Sequence, residues 1–178
     1  LFIVPLVSLL GFIYAADVLQ GDARYNRFFA YLLLLVGSIL GLVVLDNLLA
    51  FFVCWATVDV CIYLLAGLGH ERRPAREAAL WTFLMNGLGN LCLVLGLALL
   101  WTHTGSLAYG DVFDGAMLER LKQATMPGTS FPLASVIALL LLGGVAARSA
   151  QFPLHVWPVK VTEAPVPASM FIHALVAP

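Results

Sequence analysis

Charge is what this sequence has least of. Nine Lys and Arg and ten Asp and Glu make only 11% of 178 residues charged, against about a quarter in an ordinary soluble domain. The net charge of −1 excludes an electrostatic footprint for nucleic acid and a polybasic lipid anchor. Cysteine is also scarce. Cys54, Cys61 and Cys92 each lie inside an apolar run, without the spacing of a metal site, and read as small packing residues. No Met starts the chain, no charged n-region precedes the first apolar stretch, and the last residues are apolar. The first segment is therefore not a signal peptide, and the sequence reads as part of a longer protein.

What remains is 62% hydrophobic, with a mean hydropathy of +0.98. Helices that cross a bilayer core need about 20 such residues each. Apolar segments fall at about 1–16, 28–45, 48–68, 78–101, 131–152 and 165–178, with one sizeable polar connection at 103–130. The expected fold is an all-α polytopic transmembrane bundle. Asp46-Asn47 makes a tight polar turn between the second and third segments, and Trp81 and Trp101 stand near the ends of the fourth as interfacial anchors. Within the polar connection, Val112, Phe113, Met117, Leu118 and Leu121 recur at helical spacing, which predicts a helix over 111–123 that either lies on the membrane surface or caps the bundle.

Loop arginines set an orientation. If every segment spans, the loops at 16–27 and 69–77 share a side and carry Arg24, Arg27, Arg72, Arg73 and Arg76. The other side carries Arg120 and Lys122. The excess of basic residues predicts that the first pair of loops faces the cytoplasm, or the matrix in an organelle.

The few charges inside apolar segments carry the functional signal. Asp59 sits mid-segment, where an aspartate costs roughly 2.5–3.5 kcal/mol to insert. It is either a protonatable site or half of an ion pair, or a neutral aspartic acid bonded to a neighbouring helix. Arg148 ends the fifth apolar run and is either interior or a snorkelling helix-end residue. Pro153 follows in Ser149-Ala-Gln-Phe-Pro, which predicts a discontinuous helix near 148–158. His155, Lys160, Glu163 and His173 lie within the next 25 or so residues; His173 is suited to proton exchange near neutral pH. Lys160 and Glu163, three apart, are spaced to pair on one helical turn. The proton-pathway candidates are thus Asp59, Arg148, His155, Lys160, Glu163 and His173. Neither a catalytic nor a metal site is evident.

These stretches resemble the antiporter-like, proton-conducting subunits of respiratory complex I, in particular the subunit L or chain 5 family. The large subunit of multisubunit Na+/H+ antiporters is a related family. Asp46-Asn-Leu-Leu, Trp55, Cys61-x-Tyr-Leu-Leu65, Phe83-Leu-Met-Asn-Gly-Leu-Gly89, Ser149-Ala-Gln-Phe-Pro-Leu-His-Val-Trp157 and Glu163-Ala-Pro-Val-Pro-Ala-Ser carry the resemblance across nearly the whole chain. It implies a part of an inverted-repeat subunit whose proton site uses a glutamate, a lysine and a histidine. Those positions are Ala56, Arg148 and His173 here, so the resemblance implies that Asp59, about one turn beyond Ala56 on the same helix face, faces Arg148 in place of the family pair. The family's Arg and Asp after Asn86 are Gly87 and Asn90. The family aspartate after Trp157 is Lys160. The implied function is a membrane-arm subunit of an NADH:quinone oxidoreductase taking part in proton translocation, without a redox centre or bound cofactor of its own. The implied partners are other membrane-arm subunits, the lipid bilayer and protons, with no nucleic acid. The implied location is a bacterial plasma membrane or the mitochondrial inner membrane. A diverged non-pumping structural paralogue and a cation/proton antiporter subunit are the alternatives.

Overall fold

A computed structural model describes residues 2–69, 71–126, 130–152, 155–162 and 164–175. Among them the regular structure is helical: α1 Ile3–Val18, α2 Tyr25–Val44, α3 Leu48–Ala66 with a 3-10 turn at Gly67–Gly69, and α4 Arg73–Thr104. Then come α5 Tyr109–Val112, α6 Gly115–Gln123, α7 Leu133–Arg148, α8 Val156–Val161 and α9 Val166–Leu175. Three helices, Tyr25–Val44, Leu48–Gly69 and Arg73–Thr104, are long and apolar enough to cross a membrane, and α1 and α7 are shorter apolar helices. The all-α transmembrane expectation holds.

Local chemistry explains most of the boundaries. Asn47 caps α3, its side chain accepting from the Leu49 and Ala50 amides. Helix α4 starts at Arg73 and ends at Thr104, longer than the 78–101 expected. Pro74 tolerates the first turn, Arg73 and Glu77 pair at i,i+4, and Gly105 closes the far end at φ 71. The predicted surface helix at 111–123 divides into α5 and α6, because Asp114 turns the chain and caps α6 through the Ala116 and Met117 amides. Leu121 of α6 is buried beside Leu100, Leu133 and Ile137, so α6 closes one end of α4 and α7.

The fifth segment, expected to run to 152, is corrected. Helix α7 stops at Arg148, ahead of Pro153. Ala150 adopts a left-handed φ of 50, the Gln151 amide donates to Ala146 O at 3.0 Å, and the Ala150 amide donates to Ala147 O at 3.4 Å. This is a Schellman closure with alanine where glycine is usual. The end is pinned again from α8, where the buried Trp157 donates Nε1–H to Ala147 O at 3.0 Å. The expected discontinuity is therefore real, and its cause among the described residues is the cap.

In a bilayer helices associate through close packing and polar contacts rather than water exclusion. Phe28, Leu32, Leu35 and Ile39 line one face of α2 and pack with Val58, Ile62 and Leu65 of α3. Helices α4 and α7 approach through small residues: a Cβ on Gly89 would stand 2.5 Å from that of Ala147, and one on Gly144 would collide with Leu93. Outward-facing Leu80, Leu84, Leu88, Leu91 and Leu95 of α4 are exposed, as a hydrocarbon-facing surface requires. The α1–α2 and α3–α4 loops meet at one end, where Arg24 Nη1 reaches Leu68 O at 3.5 Å. The α2–α3 turn meets the α4–α5 connection at the other, where the Leu48 amide donates to Leu107 O at 2.8 Å.

Candidate functional site

Three helices bring a polar cluster together inside the bundle. Asp59 on α3 is 4% exposed, and Arg148 at the last turn of α7 is 9% exposed. Arg148 Nη2–H donates to Asp59 Oδ1 at 2.5 Å and to the Trp55 carbonyl at 2.9 Å. The guanidinium also lies over the Trp55 ring, its central carbon 3.9 Å from the centroid. The other carboxylate oxygen, Asp59 Oδ2, accepts from Asn90 Nδ2 of α4 at 2.8 Å.

The backbone dictates this meeting. Trp55 and Asp59 are four apart on α3, so carbonyl, ring and carboxylate share one face. The close α4–α7 packing at Gly89 and Ala147 sets Asn90 and Arg148, each the next residue along, beside that face. Arg148 also stands at a helix C-terminus, where a cation is favoured.

The cluster is incompletely satisfied. Among the described residues, Asn90 Oδ1, Arg148 Nε and both polar atoms of the buried Asn86 have no hydrogen-bond partner. Asn86 is one turn before Asn90, on the same side of α4. Buried polar groups are nearly always paired, so Asn90 Oδ1 and Arg148 Nε within this contact mark a place able to rearrange hydrogen bonds. A proton taken up by Asp59 would form an O–H needing an acceptor, and Asn90 Oδ1 is a free acceptor on the adjoining side chain. An arginine guanidinium keeps its charge throughout the physiological range. Trp55 gives that charge a second hold through carbonyl and ring. In this arrangement the carboxylate is the member able to gain and lose a proton.

The remaining sequence candidates lie elsewhere. His155 is exposed at the N-cap of α8, its ring stacked on Phe152 at 5.9 Å. Lys160 is half-buried with Nζ 5.7 Å from the Trp81 ring centroid, a contact with α4. Glu163 itself lies outside the described residues. His173 is exposed on α9, whose buried side carries Phe171 and Ile172. The structure thus joins Asp59 with Arg148 and leaves both histidines and Lys160 outside that contact. Sequence reasoning missed Asn90 and Trp55 as members of the cluster. The available signal was two asparagines four apart in an apolar helix, and a tryptophan four residues before the buried aspartate.

Residues 46–178 match the family of NADH:quinone oxidoreductase/Mrp antiporter transmembrane proteins. The chain belongs to that family. It is 40% identical over 174 residues to the NAD(P)H-quinone oxidoreductase chain 5 of Synechocystis sp., covering 98% of this chain and 25% of that protein. It is 42% identical over 173 residues to the chloroplastic NAD(P)H-quinone oxidoreductase subunit 5 of Adiantum capillus-veneris, covering 97% of this chain and 23% of that one. Among solved structures, a chain of the Mrp complex from Dietzia sp. DQ12-45-1b superposes with a TM-score of 0.69 at 28% identity, over 82% of this chain and 15% of the other. The chain spans about a quarter of the length of these curated relatives. Family membership makes it an integral membrane segment of the antiporter-like type.

Proposed function

We propose that this chain is part of a membrane-arm subunit of an NAD(P)H:quinone oxidoreductase and carries a proton site centred on Asp59. The observation behind this reading is the buried Asp59–Arg148 contact, flanked by Asn90 and its unpaired neighbours. Ionisable pairs at membrane depth mark ion or proton paths. Here the acidic member stands on α3 one turn beyond Ala56, and the basic member is an arginine. Asp59 takes and gives the proton, and Arg148 is a fixed counter-charge. The partners are the other membrane-arm subunits, and the arginine-bearing end with the 16–27 and 69–77 loops faces the cytoplasm or matrix. The segment holds no redox centre and binds no cofactor.

The test is proton translocation by the full complex in sealed vesicles, driven by quinone reduction, with D59N and R148A. This reading expects D59N to abolish the contribution of this subunit; unchanged pumping in both variants would remove the proton role. The second reading is a non-pumping structural subunit, favoured by the two-point hold of Trp55 on a permanent charge. In that case both variants lower assembly while the assembled fraction pumps normally.

A further inference from the structure

At the arginine-rich end, the start of α2, the end of α3 and the start of α4 enclose a cavity of about 570 Å³. Arg24, Arg27 and Arg76 line it with the half-buried Tyr31 and Tyr63, and Leu64, Ala79 and Leu80 form its apolar side. We propose that this cavity binds the phosphodiester headgroup of a monoanionic phospholipid, independently of the proton site.

Charge accounting selects the headgroup. Arg24 is committed to Asp22 by two side-chain hydrogen bonds, at 2.9 and 2.7 Å, and by a contact with Leu68 O. Those bonds hold the Asp22 carboxyl down at about 2, so it stays ionised and keeps Arg24 neutralised throughout the physiological range. The Arg27 and Arg76 side chains make no hydrogen bond or ion pair among the described residues, and the acid on the lining is Glu71. One positive charge is left over, which a single phosphodiester balances and which a zwitterionic headgroup does not. Guanidinium groups suit phosphate oxygens, and tyrosine hydroxyls at headgroup depth add donors.

The apolar side selects a lipid over free phosphate. Leu80 lines the cavity, and the exposed row Leu84, Leu88, Leu91 and Leu95 continues from it along α4. An acyl chain anchored at the arginines has a continuous apolar track into the bilayer. Basic pockets between helices at a membrane face recognise anionic headgroups in this way.

The experiment measures lipid retained by the purified full-length subunit in its complex, after exchange into bilayer discs containing phosphatidylglycerol and phosphatidylcholine, by native mass spectrometry. The expected result is tightly held phosphatidylglycerol on the wild type. R27Q/R76Q is expected to weaken it about 25-fold, from about fivefold per arginine. R72Q removes the same type of charge outside the cavity and is expected to leave retention unchanged. Inorganic phosphate at millimolar concentration is expected not to displace the lipid. The proposal is overturned by equal retention of phosphatidylcholine, by full retention in R27Q/R76Q, by displacement with inorganic phosphate, or by a wild type that holds no lipid.

Discussion

Asp22 and Asp59 each hold an arginine, yet the two pairs do opposite things to the molecule. The Asp22–Arg24 pair joins neighbours two residues apart in a solvated loop, with the arginine side chain 44% exposed. The Asp59–Arg148 pair joins residues on two helices with side chains 5% and 11% exposed. In water such a pair contributes little, since solvent and salt already serve both charges. Inside the bundle neither charge has another ion-pair partner among the described residues, so each depends on the other and on Asn90 and Trp55. The difference lies in surroundings rather than in chemistry, and the proposed proton site sits at the costly pair.

Breaking the buried pair on one side has the largest expected effect. D59A or R148A leaves an uncompensated charge and is expected to cost about 3–5 kcal/mol, measured as loss of thermal stability of the solubilised complex. D59L/R148M, removing both charges, is expected to recover most of that loss while leaving translocation absent. Recovery of translocation in the double variant would show that the pair is structural only. N90L removes one hydrogen bond to a charged group and is expected to cost about 1.5–3 kcal/mol.

Much of this was legible in the chain. Asp59 and Arg148 stood out because each is an ionisable residue in an apolar run, and the resemblance, which sets the family's acidic and basic positions at 56 and 148, implied their contact. The turn at Asp46-Asn47 and the break after Arg148 were also readable. The Schellman closure was not, because alanine at position 150 gives no glycine signal for a left-handed residue. His173 and Lys160 looked close to the site by sequence distance, but the break after α7 turns them onto other surfaces. Asn90 was visible only as a residue differing from the family, since its partner is 31 positions away.

A smaller effect is expected from crowding the α4–α7 contact. G89V places methyl groups against Ala147, whose Cβ is already 2.5 Å from an added Cβ. Overpacking of this kind costs about 1–3 kcal/mol, and it is expected to separate Asn90 from Asp59. A cysteine cross-link between α4 and α7 that forms more slowly in G89V than in wild type would register the shift. The surface pair gives the smallest effect. D22N is expected to leave stability at pH 7 unchanged within error. Because the folded Asp22 carboxyl titrates at about 2 and its ordinary value is 3.8, any contribution is present above about pH 4. It is lost as pH falls toward 2. A stability difference between wild type and D22N that persists below pH 2 would contradict that assignment.

The most direct test of Asp59 as the proton-carrying member is infrared difference spectroscopy on the reconstituted complex with carboxyl-labelled aspartate during quinone-driven turnover. A carboxylic acid C=O band that rises and decays with turnover, shifts with the label, disappears in D59N and moves in N90L is the predicted result. A turnover spectrum identical in wild type and D59N would contradict it.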